Sequence, residues 1–214
     1  MQWIKQTDLD TWADRKGSRI EFPVMVRDLI LASSPDPADI RHIRFPGGES
    51  GEVRGYDGDL TTAVGSTYVP AGRSVWEFGT NEDPVAKFKS DYKTRVDGLE
   101  TDDQKADAKA VTFVFVTPRN YNHPTVKLPD FLKEYREGGH FADVLYYDGA
   151  MLETWLEQHG AVGAKHARLV LGHVPKIGAR STEEFWSDFS KEYNPELTEA
   201  VALCARTETA GRIV

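Results

Sequence analysis

Two acidic residues in the stretch from Gly55 to Arg95 carry the strongest chemical pattern in this chain. Asp57 lies in GYDG, and Glu77 lies twenty residues later in RSVWEFG. Carboxylates at the ends of two adjacent strands, with few cations between them, suit a hard divalent ion such as Mg²⁺ or Mn²⁺. A lysine beside such a pair stabilises the negative charge that builds on a phosphate during hydrolysis. The simpler alternative is that Asp57 makes an Asp-Gly turn and Glu77 points to solvent.

The elements that must position these acids are legible around them. Gly55 to Gly58 introduces a strand, Tyr68 to Gly72 (YVPAG) closes a turn, and Arg73 to Gly79 reads as a strand rich in Val and aromatics. Asn81 to Pro84 breaks that strand and opens a helix, with proline tolerated at the first helical position. Val85, Phe88, Tyr92 and Val96 give the helix one apolar face, and Lys87, Lys89, Lys93 and Arg95 occupy its flanks and far side. Lys89 and Lys93 are candidate contacts to a nucleic-acid backbone.

The segments GYDG, VPAGRSVWEFG and KFKSDYKTR, followed by VTFVFVTPRN and FADVLYYDGAMLETWLEQH, resemble the nuclease-like N-terminal domain of large bacterial defence proteins. Those domains are relatives of the Mrr-type PD-(D/E)XK restriction endonucleases and typically precede a STAND-type NTPase region. The resemblance implies a restriction-endonuclease-like α/β fold with a mixed central sheet flanked by helices. It implies Mg²⁺-dependent (or Mn²⁺-dependent) hydrolysis of DNA as an antiviral effector, with Asp57 and Glu77 as metal ligands. It also matches Glu21, in the first helix, to an acidic position that would orient the attacking water. One departure stands out. A Glu-X-Lys motif is expected, but Glu77 is followed by Phe78 and Gly79. The missing cation must come from Lys87 on the next helix, or from Lys89, which points about 200° further round. If neither reaches the acids, the domain keeps the nuclease fold as a recognition or assembly module and does not cut.

The rest of the chain bounds these readings. A length of 214 residues with 40% hydrophobic content and five Trp supports one ordinary domain with a sizeable core. We expect that domain to span residues 1–180, with 181–214 a helical connector toward a downstream NTPase or sensor region. The connector runs to Val214 without a polar tail, as a piece of a longer protein would. A net charge of −8 argues against a general nucleic-acid coat but permits a local basic site. The single cysteine, Cys204, excludes an internal disulfide framework and fits a reducing compartment. No apolar run reaches about 18 residues and no signal sequence opens the chain, so no membrane association and a cytoplasmic location are expected. Whether the protein self-associates is left open by the sequence.

In chain order, Ile20 to Ala32 is expected as a helix with Pro23 in its opening turn. Glu21 at its start is favoured by the helix dipole whatever else it does. Ile40 to Phe45 alternates as a half-buried strand, and Pro46 to Gly51 forms a loop without a phosphate-binding signature. Asp97 to Lys109 reads as a charged surface segment, and Ala110 to Thr117 as a strand covered on both faces. Arg119, just past that strand end, is a candidate phosphate contact of the kind found beside ligand crevices, or else a solvated loop arginine. Phe131 to Glu137 and the segment after Asp148 read as helices, the latter stopping at Gly160, with Ala142 to Tyr147 a strand between them. His159, His166 and His173 recur every seven residues, but no cysteine or carboxylate completes a zinc pattern. Ser181 to Glu184 resembles a capping box for the helix that follows.

Overall fold

The computed structural model describes residues 2–46, 55–173, 182–193 and 198. The chain divides into two compact units, Met1–Pro175 and Lys176–Val214. The first holds a five-stranded mixed sheet between two layers of helices. Its strands are β1 (Ile40–Arg44), β2 (Gly58–Thr62), β3 (Gly72–Phe78), β4 (Val111–Val116) and β5 (Asp143–Tyr147), in that spatial order. β1, β2 and β3 form an antiparallel meander, and β4 and β5 then add parallel to β3 through helical crossovers.

Alternation along β3 and β4 builds two separate cores. Trp76, Phe78, Val114 and Val116 face one way, onto α1 (Gln6–Ala13), α2 (Ser18–Ser33), α6 (Gly149–Gln158) and α7 (Gly160–Leu171). Val75, Phe113 and Phe115 face the other way, onto α3 (Pro84–Asp97) and α5 (Leu128–Glu137), with α4 (Asp102–Ala108) against β4. Phe88 of α3 is the pivot of this second core. It is fully buried against Phe113, Phe115, Phe131, Tyr135 and Tyr146. Burial of one such side chain is worth about 2–3 kcal/mol.

α3 begins where the sequence places it. The Asp83 carboxylate accepts from the backbone of Ala86 at 2.9 Å, and Pro84 occupies the first turn. Elsewhere the boundaries differ from expectation. α2 begins at Ser18, so Pro23 sits in its interior, buried, and not in its first turn. The charged segment 97–109 contains α4, started by a capping box between Thr101 and Gln104. α6 stops at Gln158 with His159 as its C-cap, so a helix does end beside Gly160, and Gly160 then opens a further helix, α7. The residues before Ile20 form α1, whose Leu9 and Trp12 are buried.

The second unit contributes α8 (Thr182–Lys191), along which Phe185 stacks on Phe189 with ring centres 5.6 Å apart. The loop at 47–51, the cap at Ser181 and Cys204 lie outside the described residues. No helix among the described residues is long and apolar enough to cross a membrane.

Candidate functional site

Asp57 and Glu77 are brought together by strand register. β2 and β3 pair antiparallel with Gly58 opposite Trp76, so the next pair outward sets Asp57 opposite Glu77 on one sheet face. Asp57 stands just before β2. Its Oδ2 accepts from the backbone N–H of Phe78 at 3.0 Å, which ties the start of β2 to the end of β3. Glu77 is only 2% exposed and faces α3. Burial, with the nearby charges of Asp57 and Asp91, pushes its carboxyl up to about 8, against the pull of Arg95.

α3 supplies three charged groups to this face at successive helical turns: Lys87, Asp91 and Arg95. Arg95 donates Nε to Glu77 Oε1 and Nη2 to the carbonyl of Gly55. Its guanidinium also lies 4.9 Å from the centre of the Tyr56 ring. Lys87 donates to Asp91 Oδ1 at 2.6 Å. The other oxygen of Asp91 is buried with no hydrogen-bond partner, and burial raises that carboxyl as well. Gly79, at the position where a Glu-X-Lys motif expects its lysine, has a physical role here. A Cβ at Gly79 would meet Lys87 Cγ at 2.9 Å and Phe115 Cζ at 2.6 Å. The stem of Lys87 therefore passes through space that a strand side chain would fill.

Of the other residues picked from the sequence, none joins this cluster. Glu21 is a correction. α2 packs on the opposite sheet face, where Phe22 meets Phe78 edge-on at 5.2 Å. The Glu21 carboxylate lies beside Gly17 and acts on His166 of α7, not on Asp57. Lys89 is exposed with its ammonium 5.7 Å from the Phe131 ring centre, and Lys93 pairs with Asp97. Their backbone positions on α3 turn them away from Glu77, as helical geometry requires. Arg119 is also a correction. It is 9% exposed and donates to the Thr80 carbonyl at 3.1 Å, to Asp10 Oδ1 at 3.1 Å and to Asp14. It locks the ends of β3 and β4 to α1, which commits Nε, Nη1 and one N–H of Nη2 to protein acceptors. Arg119→Met is expected to lower stability by about 1–3 kcal/mol, through the orphaned Thr80 carbonyl more than through the half-exposed acids. Urea denaturation measures this.

The three histidines have separate partners. His159 Nε2 meets Ser33 Oγ at 2.9 Å, His166 Nε2 meets Asp28 Oδ2 at 2.8 Å, and His173 Nδ1 meets the Leu171 carbonyl at 3.2 Å. Asp28 also receives Lys165 at 2.7 Å, so this group clamps α2 to α7.

Sequence reasoning passed over Asp91 and Arg95. Their signal was available: Lys87, Asp91 and Arg95 recur every four residues beside the apolar stripe of Val85, Phe88 and Tyr92. Among the described residues no three His, Cys, Asp or Glu side chains are grouped to enclose a metal ion. The donor set instead suits an ion held at one or two carboxylates and otherwise hydrated, the habit of Mg²⁺. Asp57 and Glu77 would hold it through the oxygens that Phe78 and Arg95 leave uncommitted. Beyond the carboxyl ends of β3 and β4 opens a cleft of about 1000 Å³, lined by Lys16, Arg19, Lys87 and Arg119 together with Asp14, Glu82 and Asp83, and not by Asp57 or Glu77. No family model, no curated protein and no solved structure matches this chain.

Proposed function

We propose that this chain is a metal-dependent DNA endonuclease domain of the restriction-endonuclease-like class, the effector part of a bacterial anti-phage protein with a downstream NTPase region. The observation that carries the reading is the meeting of Asp57 and Glu77 across neighbouring strands, with the Lys87 stem in the place of the absent strand lysine. The antiparallel meander, continued by parallel strands and covered by helices on both faces, supports the same fold.

The residues divide the work as follows. Asp57 and Glu77 hold a Mg²⁺ or Mn²⁺ ion, which supplies Lewis acidity and a nucleophile at neutral pH when bound. Lys87 places a positive charge beside the phosphate, where negative charge develops on the non-bridging oxygens. Asp91 holds the Lys87 ammonium in position at 2.6 Å. Lys16 and Arg19, exposed on the cleft wall that Arg119 also lines, take the place of Lys89 and Lys93 as contacts to the DNA backbone. The test is nicking of supercoiled plasmid by wild type, with and without chelator, beside Asp57→Ala. Chelator and Asp57→Ala should each abolish nicking, and Glu21→Gln should leave it intact. Nicking that survives both treatments would place the chemistry elsewhere.

One observation favours a second reading, a nuclease fold retained for recognition or assembly. Glu77 is closed off by Arg95, which takes the position beside the carboxylate that a metal ion would use. A wild-type protein that binds DNA and never cuts it, at any divalent ion concentration, would establish that alternative.

A further inference from the structure

A second pocket, of about 330 Å³, lies near the amino ends of β3 and β4, beneath α3 and α4. That volume is at the lower end of small-molecule sites, roughly 300–1,000 Å³. Its apolar walls come from Val75 and Val111 on the strands, Leu99 after α3, and Phe141 before β5. Its polar groups are mostly donors. Arg73 gives Nε and Nη2 to Asp59, at 3.4 and 2.8 Å. Arg95 gives Nε to Glu77 and Nη2 to the Gly55 carbonyl. Among the described residues the remaining terminal nitrogen, Nη1, has no hydrogen-bond partner in either arginine.

Two further donors join them. The Tyr56 phenol feels both guanidinium groups, which oppose the upward push of its burial. Gln104 spends its carbonyl oxygen on the backbone N–H groups of Glu100 and Thr101, at 2.9 and 3.0 Å, so its amide N–H groups remain. Asp107 is the one carboxylate on the lining. A pocket with apolar walls and several donors that have no protein partner is matched by an anion on an apolar body, because hydrogen bonds from a guanidinium to an anion are of the strong, charge-assisted kind.

We propose that this pocket binds a small organic phosphate or carboxylate with an apolar or aromatic body, its anion held between Nη1 of Arg73 and Nη1 of Arg95. The site stands apart from the nuclease reading and needs neither metal nor DNA. It does touch the acidic pair, because Arg95 is the cation hydrogen-bonded to Glu77. An anion on the far side of that guanidinium draws its charge outward and weakens its hold on the glutamate.

The experiment is a titration of the metal-free chain with AMP, benzoate or inorganic phosphate, followed by the arginine side-chain ¹⁵N resonances. At least one of AMP and benzoate should saturate the Arg73 and Arg95 signals below about 1 mM, about tenfold tighter than phosphate. The two organic probes separate the phosphate source from the carboxylate source. Arg73→Gln should weaken binding about tenfold. Thr94→Trp, a bulky change at an exposed helix position on the rim, should block it without touching either arginine. No saturation by about 10 mM of either organic anion overturns the proposal, as does binding that both variants leave unchanged. Inorganic phosphate binding as tightly as both organic probes would overturn the apolar-body assignment.

Discussion

Lys87→Met is expected to cut divalent-ion-dependent plasmid nicking by about 10²–10³-fold, the usual loss when one preorganised charge-stabilising group is removed. Methionine keeps an unbranched stem of similar length, so the packing against Gly79 and Phe115 persists while the ammonium goes. The fold should therefore be retained, and the loss should appear in kcat more than in KM. Lys87 is about one-third exposed, and its partner Asp91 is mostly buried. The ammonium thus has access to the cleft while one carboxylate oxygen holds it in place. Lys89→Met serves as the control. Its ammonium lies over Phe131 on the other flank of α3, so nicking should fall less than about threefold. Equal activity in wild type and Lys87→Met would end the claim that the helix supplies the missing cation.

Glu77→Gln is expected to stabilise the folded protein at alkaline pH while removing its activity. The Glu77 carboxyl moves from an ordinary value of 4.5 to about 8, because burial penalises its charge more than Arg95 compensates. Below pH 4.5 both folded and unfolded chains carry the proton. Between 4.5 and about 8 only the folded chain holds it, so the folded state binds more protons and stability falls as pH rises. Above about 8 both states are ionised and the slope vanishes. A neutral glutamine escapes this decline. Its advantage over wild type should grow by up to about 4 kcal/mol between pH 4 and pH 9, the linked cost of ionising a carboxyl moved from 4.5 to about 8. Urea denaturation at the two pH values measures it. A variant less stable than wild type at pH 9 would mean that the Arg95 ion pair outweighs the burial cost. The same proton competes with a cation, so nicking by wild type should rise with pH toward about 8.

Much of this arrangement is written locally in the chain. Asp83 and Pro84 fix where α3 starts, and Val85, Phe88 and Tyr92 fix which face it buries. The near-continuous apolar run from Val111 to Val116 announces a strand covered on both sides. What distant segments do to one another is not written in this way. Glu21 has the residue type and helix position of a site residue, but the choice of sheet face for α2 depends on which strand residues point toward it. The packing of Phe22 on Phe78 decides this, on the face opposite Glu77. Arg119 follows a strand end where ligand contacts collect, yet α1 brings Asp10 and Asp14 to it from more than a hundred residues away. The missed partner of Glu77 is of a middle kind. Arg95 was visible as a cation on α3, but attention to residues near the helix start favoured Lys87 and Lys89. The four-residue stripe linking Lys87, Asp91 and Arg95 shows which helical flank meets the sheet.

The close approach at Gly79 bears on which single substitutions this protein can accept. A lysine placed on the strand by one change at position 79 would drive its Cβ into the Phe115 ring, whose nearest carbon lies 2.6 Å from that point. The ring is itself wedged against Phe88 and Tyr146, so it cannot swing aside without disturbing the core. A strand lysine thus needs a smaller residue at 115 and a shortened one at 87 before it fits. Each of those steps alone opens a cavity or removes a charge. The helix-borne lysine and the bare glycine are therefore coupled by space: a side chain at position 79 fits only if its neighbours at 87 and 115 change with it.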